Sequence, residues 1–180
     1  MSKQVTVQTF HPAKPTRIGD LFGTHGAVRK KLGLGPHRGL DYAVQAGTPL
    51  KAIGNGRIKN IGFTSVLGHF VEISAPVIIK GKLEVKIFGY YHLSEEGLDK
   101  LTVGDHVKGG EAFCKSGNSG SASSGPHLHL MAGETINLAT KPVEDPLPLI
   151  ESALVAQTIT VEDEEKPVVK KPAAKKPAKK

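Results

Sequence analysis

An all-β fold is predicted, a mainly antiparallel sheet with short helices and a disordered C-terminal tail, and three observations carry that prediction. Gly is 21 and Pro 12 of 180 residues, so turns are frequent. Apolar residues recur in short alternating runs such as "KQVTVQT" and "LEVKIFGYYH", the period of half-buried strands. Long helical periods are scarce. The hydrophobic fraction of 38% fits a globular core, and no apolar run approaches the roughly 20 residues of a membrane span.

Taken in order, "KQVTVQT" opens the chain as a strand, and "LKAIGNGRIKNIGF" reads as a β-hairpin turning at Gly54, Asn55 and Gly56. "HFVEIS" and "LEVKIFGYYH" are further strands flanking "APVIIKGK". "HVKGGEAFCKSG" reads as another strand pair around Gly109 and Gly110. "SEEGLDKL" supports a short helix capped by Ser94, with acids in its first turn, and "PLIESALVAQ" a terminal helix. There is no internal repeat. These elements make one domain over residues 1–155.

From residue 156 to 180 the composition turns acidic and then Lys/Pro/Ala-rich, which predicts a disordered tail. Seven Lys against four Asp or Glu give this segment +3 of the chain's net +7, so the body is only modestly basic. The tail suits an anionic cell-wall or membrane surface, or simply solubility. It has no interleaved aromatics to stack on bases, and no specific nucleic acid is expected. One cysteine, Cys114, excludes an internal disulfide framework and reads as a small buried hydrophobe.

Two patterns carry chemistry. In "SGPHLHLMAG", His127 and His129 stand two apart, so on a strand both imidazoles share one face while Leu128 and Leu130 point the other way. That pairing suits metal binding or proton transfer, and by itself is also compatible with chance placement among eight histidines. In "GPHRGLDYAVQAGTPL", His37 and Asp41 stand four apart. Gly33, Gly35, Pro36 and Gly39 disfavour a helix there, which places the pair on a loop entering a strand. One imidazole and one carboxylate, joined by an imidazole of "HLH", make three N/O ligands with a fourth position open, the donor set of a catalytic zinc site.

The blocks around these residues resemble the lysostaphin-type, LytM-like zinc endopeptidases that cut peptidoglycan peptides. The resemblance runs over about residues 18–132, through "HRGLDYAVQAGTPLKAIGNGRI", "YYHLS", "VGDHVKGGEAFCKSGNSG" and "SGPHLHL" in that order. It implies one zinc held by His37, Asp41 and His129, with His92 and His127 beside the bound water. The chain has no H-E-x-x-H helix to supply a glutamate base, so a histidine takes that role. His127 is the expected base and His92 the expected stabiliser of the oxyanion, with exchange of the two roles left open. Tyr90, two residues before His92, either lines the site or is an ordinary half-buried strand tyrosine. "SGNSGSASSGP" is expected as a flexible rim of the groove. His11, His25, His69 and His106 match no block and are expected at surfaces or turns.

Against the family pattern, "SAPVIIKGKLEVKIFG" is longer than the usual hairpin before the Tyr-x-His block. The N-terminal residues contain no signal-peptide core, and neither a blocking upstream domain nor a wall-binding repeat is visible. A bacteriophage lysin is therefore expected, made in the host cytoplasm and reaching the wall after membrane permeabilisation, or carried in a virion. A monomer is expected. Two other classes compete with this reading: a noncatalytic LytM-like module that binds and activates a partner, and a basic-tailed nucleic-acid-binding protein.

Overall fold

The computed structural model describes residues 2–31 and 33–162. It contains eleven strands among the described residues: β1 (Ser2–Val7), β2 (Arg17–Ile18), β3 (Leu40–Ala43), β4 (Pro49–Lys51), β5 (Gly56–Thr64), β6 (Gly68–Ile79), β7 (Lys82–Leu93), β8 (His106–Val107), β9 (Ala112–Lys115), β10 (Leu128–Gly133) and β11 (Gln157–Glu162). Two short helices, α1 (Ala27–Lys31) and α2 (Pro146–Glu151), and one 3₁₀ turn at Leu98–Lys100 complete it. The all-β, antiparallel prediction holds.

Seven strands form the main sheet in the order β2-β3-β10-β7-β6-β5-β8, all neighbours antiparallel. Alternation sorts the side chains of its central strands onto two faces. Leu128, Leu130 and Ala132 of β10, with Phe88 and Tyr90 of β7, enter the main core. There they meet Leu50 of β4, Cys114 of β9 and Leu149 and Ile150 of α2. On the opposite face, His129 and Met131 share β10 with Tyr91 across on β7, and Met131, Tyr91, Ile87 and Leu138 form a second cluster. The polar site is built on that second face. Cys114 is a buried hydrophobe as expected, its thiol pushed up by burial.

Several local expectations change. The two glycine turns do not close hairpins: β4 pairs with β9, while β5 pairs with β6 and β8. Gly56 explains part of this, since a Cβ there would sit 1.7 Å from the Ser74 carbonyl oxygen of the neighbouring β6. Its glycine serves a close strand approach rather than a two-residue turn. The hairpins that do form are β5–β6, which turns at residues 65–67, and β6–β7, which runs through "APVII" and turns at Lys80 and Gly81, both at positive φ. Ser94 Oγ accepts from the Glu96 N–H, but only the 3₁₀ turn follows. The terminal helix starts earlier than expected, on Pro146 after the Asp145 cap, and ends at Glu151.

The boundary at residue 155 also moves. Residues 157–162, assigned by composition to the tail, pair antiparallel with β1 from Ser2↔Glu162 to Val7↔Gln157. Ile159 packs beside Val7, Ile78 and Ala153 in a third cluster. The remaining tail expectation falls on residues 163–180, outside the described residues. Among the described residues, no helix is long and apolar enough to cross a membrane.

Candidate metal centre

His37 lies on the loop entering β3, Asp41 on β3 and His129 on β10, where His129 and Asp41 are direct cross-strand partners. Three atoms converge. His129 Nδ1 is 2.9 Å from Asp41 Oδ1, His37 Nε2 is 3.3 Å from the same oxygen, and the two nitrogens are 3.1 Å apart. Zinc bonds of about 2.0–2.1 Å at tetrahedral angles put their ligand atoms about 3.3 Å apart. The triangle is therefore the size that one zinc ion spans, and the donor types fit it. His37 Nδ1–H donates to the Leu21 carbonyl at 3.2 Å, which fixes the ring and turns Nε2 inward.

Gly39, between His37 and Asp41, is held by close approach. A Cβ there would stand 2.3 Å from the Leu130 carbonyl oxygen and 2.7 Å from His129 Cε1. Burial opposes ionisation of Asp41, but bonds to His129 and His37 outweigh it and hold the carboxylate well below its usual range. Burial likewise opposes protonation of His37, and Asp41 overcomes it, so its pKa is raised. At His129 burial wins and the pKa falls.

His92 and His127 stand beside this triangle, their ring centroids 4.7 Å apart. His127 Nε2 is 3.9 Å from Asp41 Oδ1. Both rings spend Nδ1–H on the rim loop: His92 donates to the Ser119 carbonyl at 2.7 Å and His127 to the Gly125 carbonyl at 2.8 Å. Nε2 is thus the nitrogen of each that these bonds leave free. Burial pushes the His92 pKa down to about 4, aided by the neighbouring His127 and His129, so this ring is neutral near pH 7.

All five expected site residues are therefore together, and Tyr90 is not with them. Its ring is fully buried in the main core, edge-on to Phe113, with its hydroxyl donating to the Lys51 carbonyl. The physical reason is a bulge. His69 pairs with Leu93 and Val71 with Tyr90, so β7 sets Tyr91 and His92 against the single residue Phe70. His92 takes a left-handed φ of 60°, and Tyr91 and His92 both face the site. Tyr91, unnoticed in the sequence, lies 6.0 Å from the His129 ring.

Other supports were not legible either. Arg38 sends its fork to the carbonyls of Ala139, Leu138 and Lys141, fixing one wall of the groove. Glu72, fully buried, accepts from Tyr91 Oη–H, from the N–H groups of Asn137 and Leu138, and from Asn60 Nδ2. The only advance signal was a charged residue inside the apolar "HFVEIS". The other four histidines stay outside: His25 and His106 are exposed, His69 packs on Phe63, and His11 bonds the Tyr42 hydroxyl at 3.0 Å.

The sequence profile of Peptidase family M23 matches residues 35–138, more than half of the chain. This chain belongs to peptidase family M23. The family assignment and the His-Asp-His cluster together support a zinc metalloendopeptidase with a single zinc site. The M23 chain is 35% identical over 122 residues to the glycyl-glycine endopeptidase ALE-1 of Staphylococcus capitis, covering 66% of this chain and 30% of that protein. It is 31% identical over 93 residues to the peptidoglycan DD-endopeptidase ShyC of Vibrio cholerae, covering 52% and 19%. Among solved structures, the catalytic domain of lysostaphin from Staphylococcus simulans superposes with a TM-score of 0.59 at 30% identity, covering 76% of this chain and 92% of that one. The chain thus spans less than a third of the length of these curated relatives.

Proposed function

We propose that the M23 chain hydrolyses peptide bonds in the stem peptides or cross-bridges of bacterial peptidoglycan, with His37, Asp41 and His129 holding zinc and His92 and His127 acting on the proton and the developing charge. The observation that carries this reading is the 2.9–3.3 Å triangle of donor atoms with two further imidazoles against it. Relatives named for glycyl-glycine and peptidoglycan endopeptidase activity support the substrate class. A noncatalytic binding module has no use for the convergent donor set.

Zinc at this triangle supplies a Lewis acid for the scissile carbonyl and a more acidic water. The protein's own groups handle the proton. In the neutral ring Nε2 is an acceptor, so His127 Nε2 takes the proton as water attacks the carbonyl carbon. It returns that proton to the amine nitrogen as the C–N bond breaks. The His92 ring is 4.7 Å from that of His127 between centroids, and once the proton passes from His127 to His92 Nε2, that N–H donates to the developing oxyanion before the proton returns through His127. All five residues come from one chain, so a monomer suffices. The Lys-rich end carries the enzyme toward anionic wall polymer or membrane.

Metal analysis should find one zinc per chain, and chelation should abolish digestion of purified walls. Alanine at His37, Asp41 or His129 should lose both metal and activity. His92→Ala and His127→Ala should keep the metal and lose about 100-fold or more in turnover. Normal wall digestion after removal of any of the three donors would overturn the proposal. Mass spectrometry of peptides released from several wall chemotypes identifies the bond.

A further inference from the structure

Two unlike cavities meet at the site: all three donor residues line one, and Asp41 alone of them lines the other. One of about 480 Å³ is walled by apolar side chains, among them Leu34, Val66, Leu67 and Met131. The other, of about 270 Å³, is a polar cleft whose lining includes the charged Arg17 and Asp20 beside Gly19, Ala43, Ser124 and Gly125. Asp41 and His127 border both, so a peptide crossing the site has one side of its scissile bond in each.

The larger cavity contains two arginines and, apart from Asp41, no acid among its described lining. Arg38 is committed, since its fork is occupied by backbone carbonyls. Arg29 is different. On α1 its Nε–H donates to the Gly35 carbonyl at 2.9 Å, which orients the guanidinium, while its two Nη groups make no hydrogen bond or ion pair among the described residues. Its charge is close enough to His37 to oppose protonation of that ring. A guanidinium oriented through one N–H, with its terminal donors open toward a cavity, is built for a planar oxyanion.

Resting on the peptidase reading above, we propose that Arg29 is a specificity-determining residue that receives a carboxylate of the substrate peptide, carried on the residue lying in the larger cavity. The enzyme accordingly prefers stem peptides with a free carboxylate beside the cut bond over the same peptides amidated at that group.

The test uses the zinc-loaded full chain and cross-linked stem peptides in two forms, with carboxylates free or converted to carboxamides. Wild type should cut the acid form with a kcat/KM about tenfold or more above that of the amide form, the scale of one charge-assisted bond. R29Q should cut the two forms at equal rates with unchanged zinc content, and R29K should retain part of the preference. Equal rates on both forms by wild type, or an undiminished preference in R29Q, would overturn the assignment of Arg29 and leave the peptidase reading standing. Failure to cut either form would sink the peptidase reading instead. Calorimetric titration with the acid and amide peptides then decides Arg29 separately: wild type should bind the acid form more tightly and R29Q should not, and no difference in wild type overturns the proposal.

Discussion

Gly39 and His92 bracket the chemistry at the residue scale, one by leaving space and the other by staying neutral. A methyl at position 39 would drive into the Leu130 carbonyl and the His129 ring. Gly39→Ala should therefore cost about 1–3 kcal/mol in urea unfolding and weaken zinc binding in a calorimetric titration, and wild-type values for both would refute the close approach. His92 predicts a pH dependence. Its folded pKa of about 4 lies below the roughly 6.5 of an unfolded histidine, so between those values the unfolded chain binds a proton that the folded chain does not. Stability of the metal-free protein should thus fall as pH drops from about 6.5 to 4. His92→Gln should flatten that slope, leaving the share due to His129, and an unchanged slope would contradict the burial of this ring. Residue type and spacing singled out His37, Asp41, His127 and His129 in the sequence, but the division of roles among them, and the inclusion of His92, were legible only through the resemblance of the blocks around them. Tyr90 and Tyr91 were not legible, because strand alternation was read through a bulge that the pairing of β6 with β7 creates.

At the scale of elements, the site depends on how β6, β7 and the segment after β10 are tied together. Glu72 on β6 gathers the Tyr91 hydroxyl from β7 and the N–H groups of Asn137 and Leu138, and Arg38 binds the same segment from the loop that carries His37. Glu72→Ala leaves the buried Tyr91 hydroxyl and Leu138 N–H without an acceptor, at a cost of about 3 kcal/mol. Glu72→Gln keeps one oxygen and should fall between. Denaturant midpoints rank the three proteins, and Glu72→Ala equal to wild type would mean that water replaces the carboxylate. Strand positions were largely readable, since alternation and β-branched content are local. Strand partners were not. "GNG" and "KGG" look like hairpin turns, yet Pro49↔Lys115 and Leu50↔Cys114 pair across a long stretch of chain. Turn chemistry says where a strand ends, and burial of Leu50 and Cys114 in the common core decides what it joins.

For the whole molecule, the two ends of the described chain meet in a sheet of their own, which separates folding from any targeting by the Lys-rich end. β1 and β11 pair over six positions and, through Val7, Ile78, Ala153 and Ile159, close a small apolar cluster against the β6–β7 hairpin. "QTITVE" alternates as a strand should, but the acidic and Lys/Pro/Ala residues directly after it drew the boundary too early. Two truncations distinguish the roles. A chain ending at residue 156 loses β11, leaves the hydrogen-bonding edge of β1 open and uncovers Val7, so it should unfold about 2 kcal/mol more easily. A chain ending at residue 162 keeps the β1–β11 pair and should match the full chain in zinc content and denaturant midpoint. It lacks all seven lysines of the C-terminal segment, so its retention on purified walls should be weaker at low ionic strength. That difference should vanish as salt shortens the Debye length below about 8 Å. Retention curves that overlap at every salt concentration would leave the lysines without a targeting role, and equal stability of the two truncated chains would remove β11 from the fold's support.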